Sequence, residues 1–148
     1  MMKITILAVG KIKEKYMREA IADYSLRLSK YCKLNIIEAP EGLSVEKEGD
    51  DLLRLIPQGS YVIALDLRGT MVSSTDLADM FRETTVAGES HFTFIIGGSD
   101  GIDRRVILKA NKSICMSKMT FTHQMARLII CEQIYRAMKI NGGEKYHK

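Results

Sequence analysis

The chain has 148 residues, 46% hydrophobic and 27% charged, which is enough for one domain with its own core and ordinary for a globular protein. No apolar run approaches the roughly 20 residues of a membrane span. Three cysteines (Cys32, Cys115, Cys131) without CxxC spacing argue against a disulfide framework or a zinc site and for a reducing, cytoplasmic location; His91, His123 and His147 add no metal-ligand spacing. The net charge of +4 conceals an asymmetry: residues 104–148 carry ten Lys/Arg against two Asp/Glu, and residues 1–103 carry twelve against sixteen. A basic C-terminal block suits a polyanion, because lysines and arginines displace counterions from phosphates. A solvated basic face that binds nothing has the same charge pattern.

Residues 3–9 form an apolar run followed at once by Lys11, Lys13 and Lys15, with no small-residue cleavage site. This reads as a first strand rather than a leader. Met17, Ala20, Ile21, Tyr24 and Leu28 recur at helical spacing, so residues 15–30 form an amphipathic helix. Residues 34–37 read as a strand, and Pro40 and Gly42 mark a loop before a charged helix over 45–56 that Pro57 and Gly59 stop. Residues 61–65 (YVIAL) and 92–96 (FTFII) are continuous apolar strands, as expected when both sheet faces are covered. Between them Ser73-x-x-Asp76 opens a helix through Thr85. A short helix over 103–110 and a short strand over 113–116 follow. Thr122 caps a final helix, 123–141, which Gly142 and Gly143 stop.

Strand–helix alternation over 1–148, without linker or repeat, predicts a single α/β domain with a mainly parallel sheet. Ligands of such sheets bind at the carboxyl ends of the strands, where loops 66–73, 97–101 and 117–122 fall. Gly97-Gly98-Ser99-Asp100-Gly101 follows a strand and precedes a helix, but it is neither GxGxxG nor a Walker A loop, and a tight turn needs glycines with or without a ligand. Asp66 ends a buried strand, where a carboxylate serves either catalysis or the capping of a turn. Glu132 and Arg136 stand at i, i+4 and suit an ordinary helix pair, while Arg127 and Arg136 are alternatively phosphate contacts. The final helix is apolar around most of its circumference, so it is buried on more than one side: against its own sheet, and against either a second copy of the chain or a loop of its own. Read by position alone, Tyr146-His147-Lys148 is a frayed tail.

Taken in order, Leu65-Asp66-Leu67-Arg68-Gly69, Ile95-Ile96-Gly97-Gly98-Ser99-Asp100-Gly101, Ser117-Lys118-Met119-Thr120-Phe121-Thr122-His123, Glu132-Gln133-Ile134-Tyr135-Arg136-Ala137 and Gly143-Glu144-Lys145-Tyr146-His147-Lys148 resemble the ribosomal RNA large subunit methyltransferase H family, small members of the SPOUT superfamily. The similarity covers essentially the full length and is most specific from Met119 onward. It implies an α/β, SPOUT-type, mainly parallel sheet with helices on both faces and a C-terminal trefoil knot. Threaded chains are so rare that periodicity would never suggest the knot. It implies S-adenosylmethionine as methyl donor, held by Leu65, Gly97 and the loop Met116, Ser117, Lys118, Met119, Thr120 and Phe121, largely through main-chain groups. The implied substrate is a pseudouridine in helix 69 of 23S rRNA, methylated at N3 in the assembled 70S ribosome. The implied assembly is a homodimer whose tail crosses to the partner's donor. Lys145 and Thr122 stand where the family usually has prolines, so both segments lose rigidity but no functional group.

For this reaction the resemblance makes His147 the expected general base, Tyr146 its orienting partner and His123 the second candidate, because N3 of a uracil ring is a poor nucleophile until it loses its proton. Lys148, Arg127, Arg136 and Lys118 are expected to hold phosphates or favour the N3 anion, and no metal is required. Other readings are a SPOUT methyltransferase of tRNA or another rRNA site, a ribosome-binding factor without a donor pocket, and a monomeric flavodoxin-like protein.

Overall fold

In the computed structural model, which describes residues 1–147, every strand pairs in parallel. The elements in chain order are β1 (Met2–Val9), α1 (Lys15–Leu28), β2 (Cys32–Ala39), α2 (Val45–Leu55), β3 (Tyr61–Met71), α3 (Ser74–Val86), β4 (His91–Ile96), α4 (Arg104–Lys109), β5 (Lys112–Cys115) and α5 (His123–Asn141). The sheet order is β2-β1-β4-β3-β5. Successive strand side chains point to opposite faces, so both faces must be covered. Ile4, Ile6, Phe92 and Phe94 enter the larger core with α1, α3 and α5, while Leu7, Val62 and Ile95 enter a smaller one with Leu52 of α2 and Val106 of α4. Helices therefore lie on both faces, and the continuous apolar runs of β3 and β4 follow from that. None of the described helices is long and apolar enough to cross a membrane.

Two sequence signals act as expected at helix starts. Ser73 and Asp76 form a full capping box on α3. Thr122 Oγ1 accepts the amide of Met125 at 3.1 Å and caps α5. Thr122 has φ −60°, the value a proline ring would impose, so the threonine holds a proline-like backbone and adds a hydrogen bond.

β3 departs from the expected strand over 61–65. It continues to Met71, but Leu65 and Thr70 both stand opposite Ile114, so residues 66–69 bulge out of the ladder. Gly69 permits the bulge: a Cβ there would sit 2.6 Å from the Ser113 carbonyl carbon. The bulge lifts Asp66 and Leu67 off the sheet edge.

Helix α5 lies between α1 and α3 on the larger core, with Ile130, Cys131, Ile134, Tyr135, Ala137 and Met138 buried. Most of its apolar circumference is thus covered by its own chain. Two of its own helices, rather than a loop, do the covering. The fold predicts that Thr122→Ala lowers stability by about 1 kcal/mol. Thr122→Pro, which fits φ −60° and stiffens the unfolded chain, recovers most of that loss. Thermal unfolding of the two variants beside the parent checks this, and equal melting of all three would remove the cap from the fold's determinants.

Candidate active site

The bulge within β3 meets the loops that follow β4 and β5. Between them lies a cavity of about 570 Å³, within the size range of small-molecule sites. β3 supplies Leu65 and, from its bulge, Asp66 and Leu67; the turn after β4 supplies Gly97, Gly98, Ser99 and Gly101; the β5–α5 loop supplies Met116, Ser117, Met119, Thr120, Phe121 and Thr122. Leu65, Ile96, Ile102, Ile114 and Met116 make the walls apolar, and Asp66 is the one carboxylate among the lining residues. The β4 turn is closed tightly. Gly101 has φ +91°, and a Cβ on Gly97 would sit 2.6 Å from the Gly101 carbonyl oxygen. The β5–α5 loop is braced from within, with the Met119 amide donating to Ser117 Oγ and the Cys115 thiol to the Ser117 carbonyl, both at 3.0 Å.

Of the eight residues expected around a methyl donor, Leu65, Gly97, Met116, Ser117, Met119, Thr120 and Phe121 line this cavity. Lys118 does not line it and is exposed. His123, the first residue of α5, also lines it, and its Nε2 is buried without a hydrogen-bond partner. Asp66, singled out in the sequence only as a carboxylate at a strand end, joins the wall because of the bulge.

The expected tail residues gather at the far end of α5. The Tyr31 hydroxyl and Lys139 Nζ each donate to the Glu144 carboxylate at 2.8 Å, which holds that carboxyl below its usual pKa range. Tyr146 packs edge-on against Tyr135 at 4.9 Å, with the Arg136 guanidinium 4.8 Å from its ring centre, and burial pushes its hydroxyl up to about 12. Arg136 is paired with Glu132 at 3.2 Å, so the i, i+4 pair forms, and its Nη1 lies 3.2 Å from His147 Nδ1. A guanidinium only donates, so Nδ1 accepts and the neutral ring carries its hydrogen on Nε2. In this pose Arg136 occupies Nδ1, the ring nitrogen with the free lone pair. Lys148 lies outside the described residues, and Lys145 is exposed.

One expectation is corrected outright. Arg127 is only 2% exposed, paired with Glu38 at 2.5 Å and donating to the Gly10 carbonyl at 2.8 Å. A side chain committed inside the domain does not reach a phosphate. Its partner Glu38 lies 89 positions away in the chain, and no local pattern signals the pairing.

The family described as "Predicted SPOUT methyltransferase" matches residues 2–147. Ribosomal RNA large subunit methyltransferase H of Ruminiclostridium cellulolyticum is 49% identical over 159 aligned positions, covering 99% of this chain and all of that protein. The protein of the same name from Alkaliphilus oremlandii is 50% identical with the same coverage. A probable methylase family protein of solved structure from Haemophilus influenzae has a TM-score of 0.59 at 14% identity, over 98% of this chain and 70% of its own, and this supports the fold alone. The parallel sheet and these full-length matches agree, and the chain belongs to the SPOUT methyltransferases, in the ribosomal RNA large subunit methyltransferase H family.

Proposed function

We propose that the protein is an S-adenosylmethionine-dependent methyltransferase of the large-subunit rRNA that modifies N3 of a pseudouridine in helix 69 of 23S rRNA in the assembled 70S ribosome. The observation that carries the reading is the cavity: all of the donor-binding positions but Lys118 line one apolar chamber of about 570 Å³. That chamber suits an adenosine and the sulfonium-linked chain of the donor, and its backbone turns at Gly97 and in the β5–α5 loop offer main-chain groups for a polar edge. Asp66 is the wall's negative charge and would face a cationic donor. The C-terminal trefoil knot belongs to this reading and fits a cavity walled by the bulge of β3 and the β5–α5 loop.

The donor supplies a methyl group on a positively charged sulfur, which leaves as a neutral thioether. The protein must align the acceptor nitrogen with that methyl, exclude water and receive the N3 proton. His123 and His147 are the candidate acceptors of that proton. His123 sits in the cavity wall with an unpaired Nε2. His147 rests on Arg136, whose place on α5 is 13 helical steps, about 20 Å, from His123. That separation bars His147, Tyr146 and Arg136 from the cavity of their own chain.

A homodimer resolves this. We infer that the tail of one subunit completes the cavity of the other, as the resemblance implies. Among the cavity's lining residues, Leu67, Met119 and Phe121 expose 36–74% of their surface, large apolar side chains that a second subunit would cover. In that setting Tyr146 orients the base or the ring. Once Arg136 gives up Nδ1, His147 takes the N3 proton, and Arg136, Lys118 and Lys148 face RNA.

The direct assay is transfer of labelled methyl from S-adenosylmethionine to 70S ribosomes from cells lacking the modification, beside isolated large subunits, bulk tRNA and no RNA. Label should enter only the 70S sample, at one pseudouridine. Label in tRNA would move the substrate, and no label with no donor binding would end the enzymatic reading. His147→Ala should lower turnover at least 100-fold while donor affinity, read by calorimetry, stays within about twofold. Undiminished turnover would remove His147 from the chemistry.

A further inference from the structure

The basic C-terminal block of the sequence is not one surface in the fold. Arg105 is taken by Asp50 and Asp103, Arg127 by Glu38, Arg136 by Glu132 and Lys139 by Glu144. Lys109 and Lys112 lie before or at the start of β5, at the amino ends of the parallel strands and away from the cavity. Beside the cavity the block leaves Lys118, exposed in the β5–α5 loop, and an RNA seated there draws on further cations.

The β1–α1 connection brings them. Gly10, at φ +90°, turns the chain there, and three side chains then fasten the segment. Arg127 donates to the Gly10 carbonyl at 2.8 Å and Gln124 Nε2 to the Lys11 carbonyl at 3.3 Å. From α1, Arg18 donates to the carbonyls of Ile12 and Lys13 at 3.2 and 2.7 Å. The segment is thus tied to the first turns of α5. There His123 and Ala126 line the cavity, and Gln124 and Arg127, each one residue on and about 100° round the helix, hold the loop. The side chains of Lys11, Lys13 and Lys15 are exposed on the connection that leaves the carboxyl end of β1, the neighbour of β4, whose following turn lines the cavity. Residues 11–18 hold four cations against Glu14, and Lys15 stands 3.8 Å from Glu19 in a pair exposed at both ends, which is too weak to hold the lysine from a phosphate.

We propose that Lys11, Lys13 and Lys15 form a phosphate-binding edge that seats the backbone of the rRNA substrate beside the donor cavity, with buried Arg127 as its tether. This rests on the rRNA reading above. The backbone hydrogen bonds fix where the loop stands while the lysine side chains stay mobile, an arrangement suited to contacts that position RNA without reading its bases.

The test measures binding of the full-length protein to 70S ribosomes over a range of KCl concentrations. It compares Lys11→Ala/Lys13→Ala/Lys15→Ala with a control triple, Lys33→Ala/Lys109→Ala/Lys112→Ala, which removes equal charge from the opposite end of the sheet. The loop triple should bind about 10-fold or more weakly, and its slope of log affinity against log salt should fall by about 2. The control triple should match the parent, Lys→Arg changes at the three loop positions should restore binding, and donor affinity by calorimetry should be the same throughout. Equal losses in both triples, or none in the loop triple, overturn the proposal. A parent that binds donor but not ribosomes overturns the rRNA reading first and this proposal with it.

Discussion

Helix α5 is the rod on which the functional parts hang. Its first turn forms a wall of the cavity, and its last turns carry Tyr135, Arg136 and Lys139, on which the tail rests. Because α1 and α3 hold it against the sheet, with Ile130, Cys131, Ile134 and Ala137 all fully buried, it does not bend to bring its ends together. Truncating any one of these larger side chains would cost about 2–5 kcal/mol. The rigidity that stabilises the domain thus also keeps the cavity and the tail of one chain apart.

The same helix links fold to RNA. Arg127 is the largest fully buried side chain of the molecule, and it fixes the β1–α1 connection through Glu38 and the Gly10 carbonyl. Burying a guanidinium is tolerable only with such partners, and removing one of them would leave an uncompensated charge. A residue expected on the RNA therefore acts one layer down, by holding the residues that reach it.

Much of this was legible in the sequence. The limits of α5 match the expected 123–141 because Thr122 and Gly142 mark both ends, and the capping box at Ser73 marks α3 equally well. The apolar runs in β3 and β4 announce a sheet covered on both faces. The bulge at 66–69 was hidden, because it depends on pairing with Ile114, nearly fifty residues away. So was the division of the basic block. Charge counted along the chain does not reveal which arginines fold onto carboxylates, and Arg105 and Arg127 find theirs on α2 and β2. The apolar circumference of α5 was read correctly as burial on several sides, but its neighbours are mostly its own helices. The case for a second subunit rests instead on the distance between cavity and tail and on the exposed apolar side chains of the cavity.

A site composed from two chains makes one demand that a site within a single chain does not. Gly97→Ala, which drives a Cβ into the Gly101 carbonyl, should disable the cavity, and His147→Ala should disable the tail. Each variant alone should be inactive. Co-expressed in equal amounts, they should recover about one quarter of parental methyl transfer, because about half of randomly paired two-fold dimers are mixed and each mixed dimer holds one intact cavity facing one intact tail. A co-expressed mixture that stays as inactive as either variant would contradict the composite site.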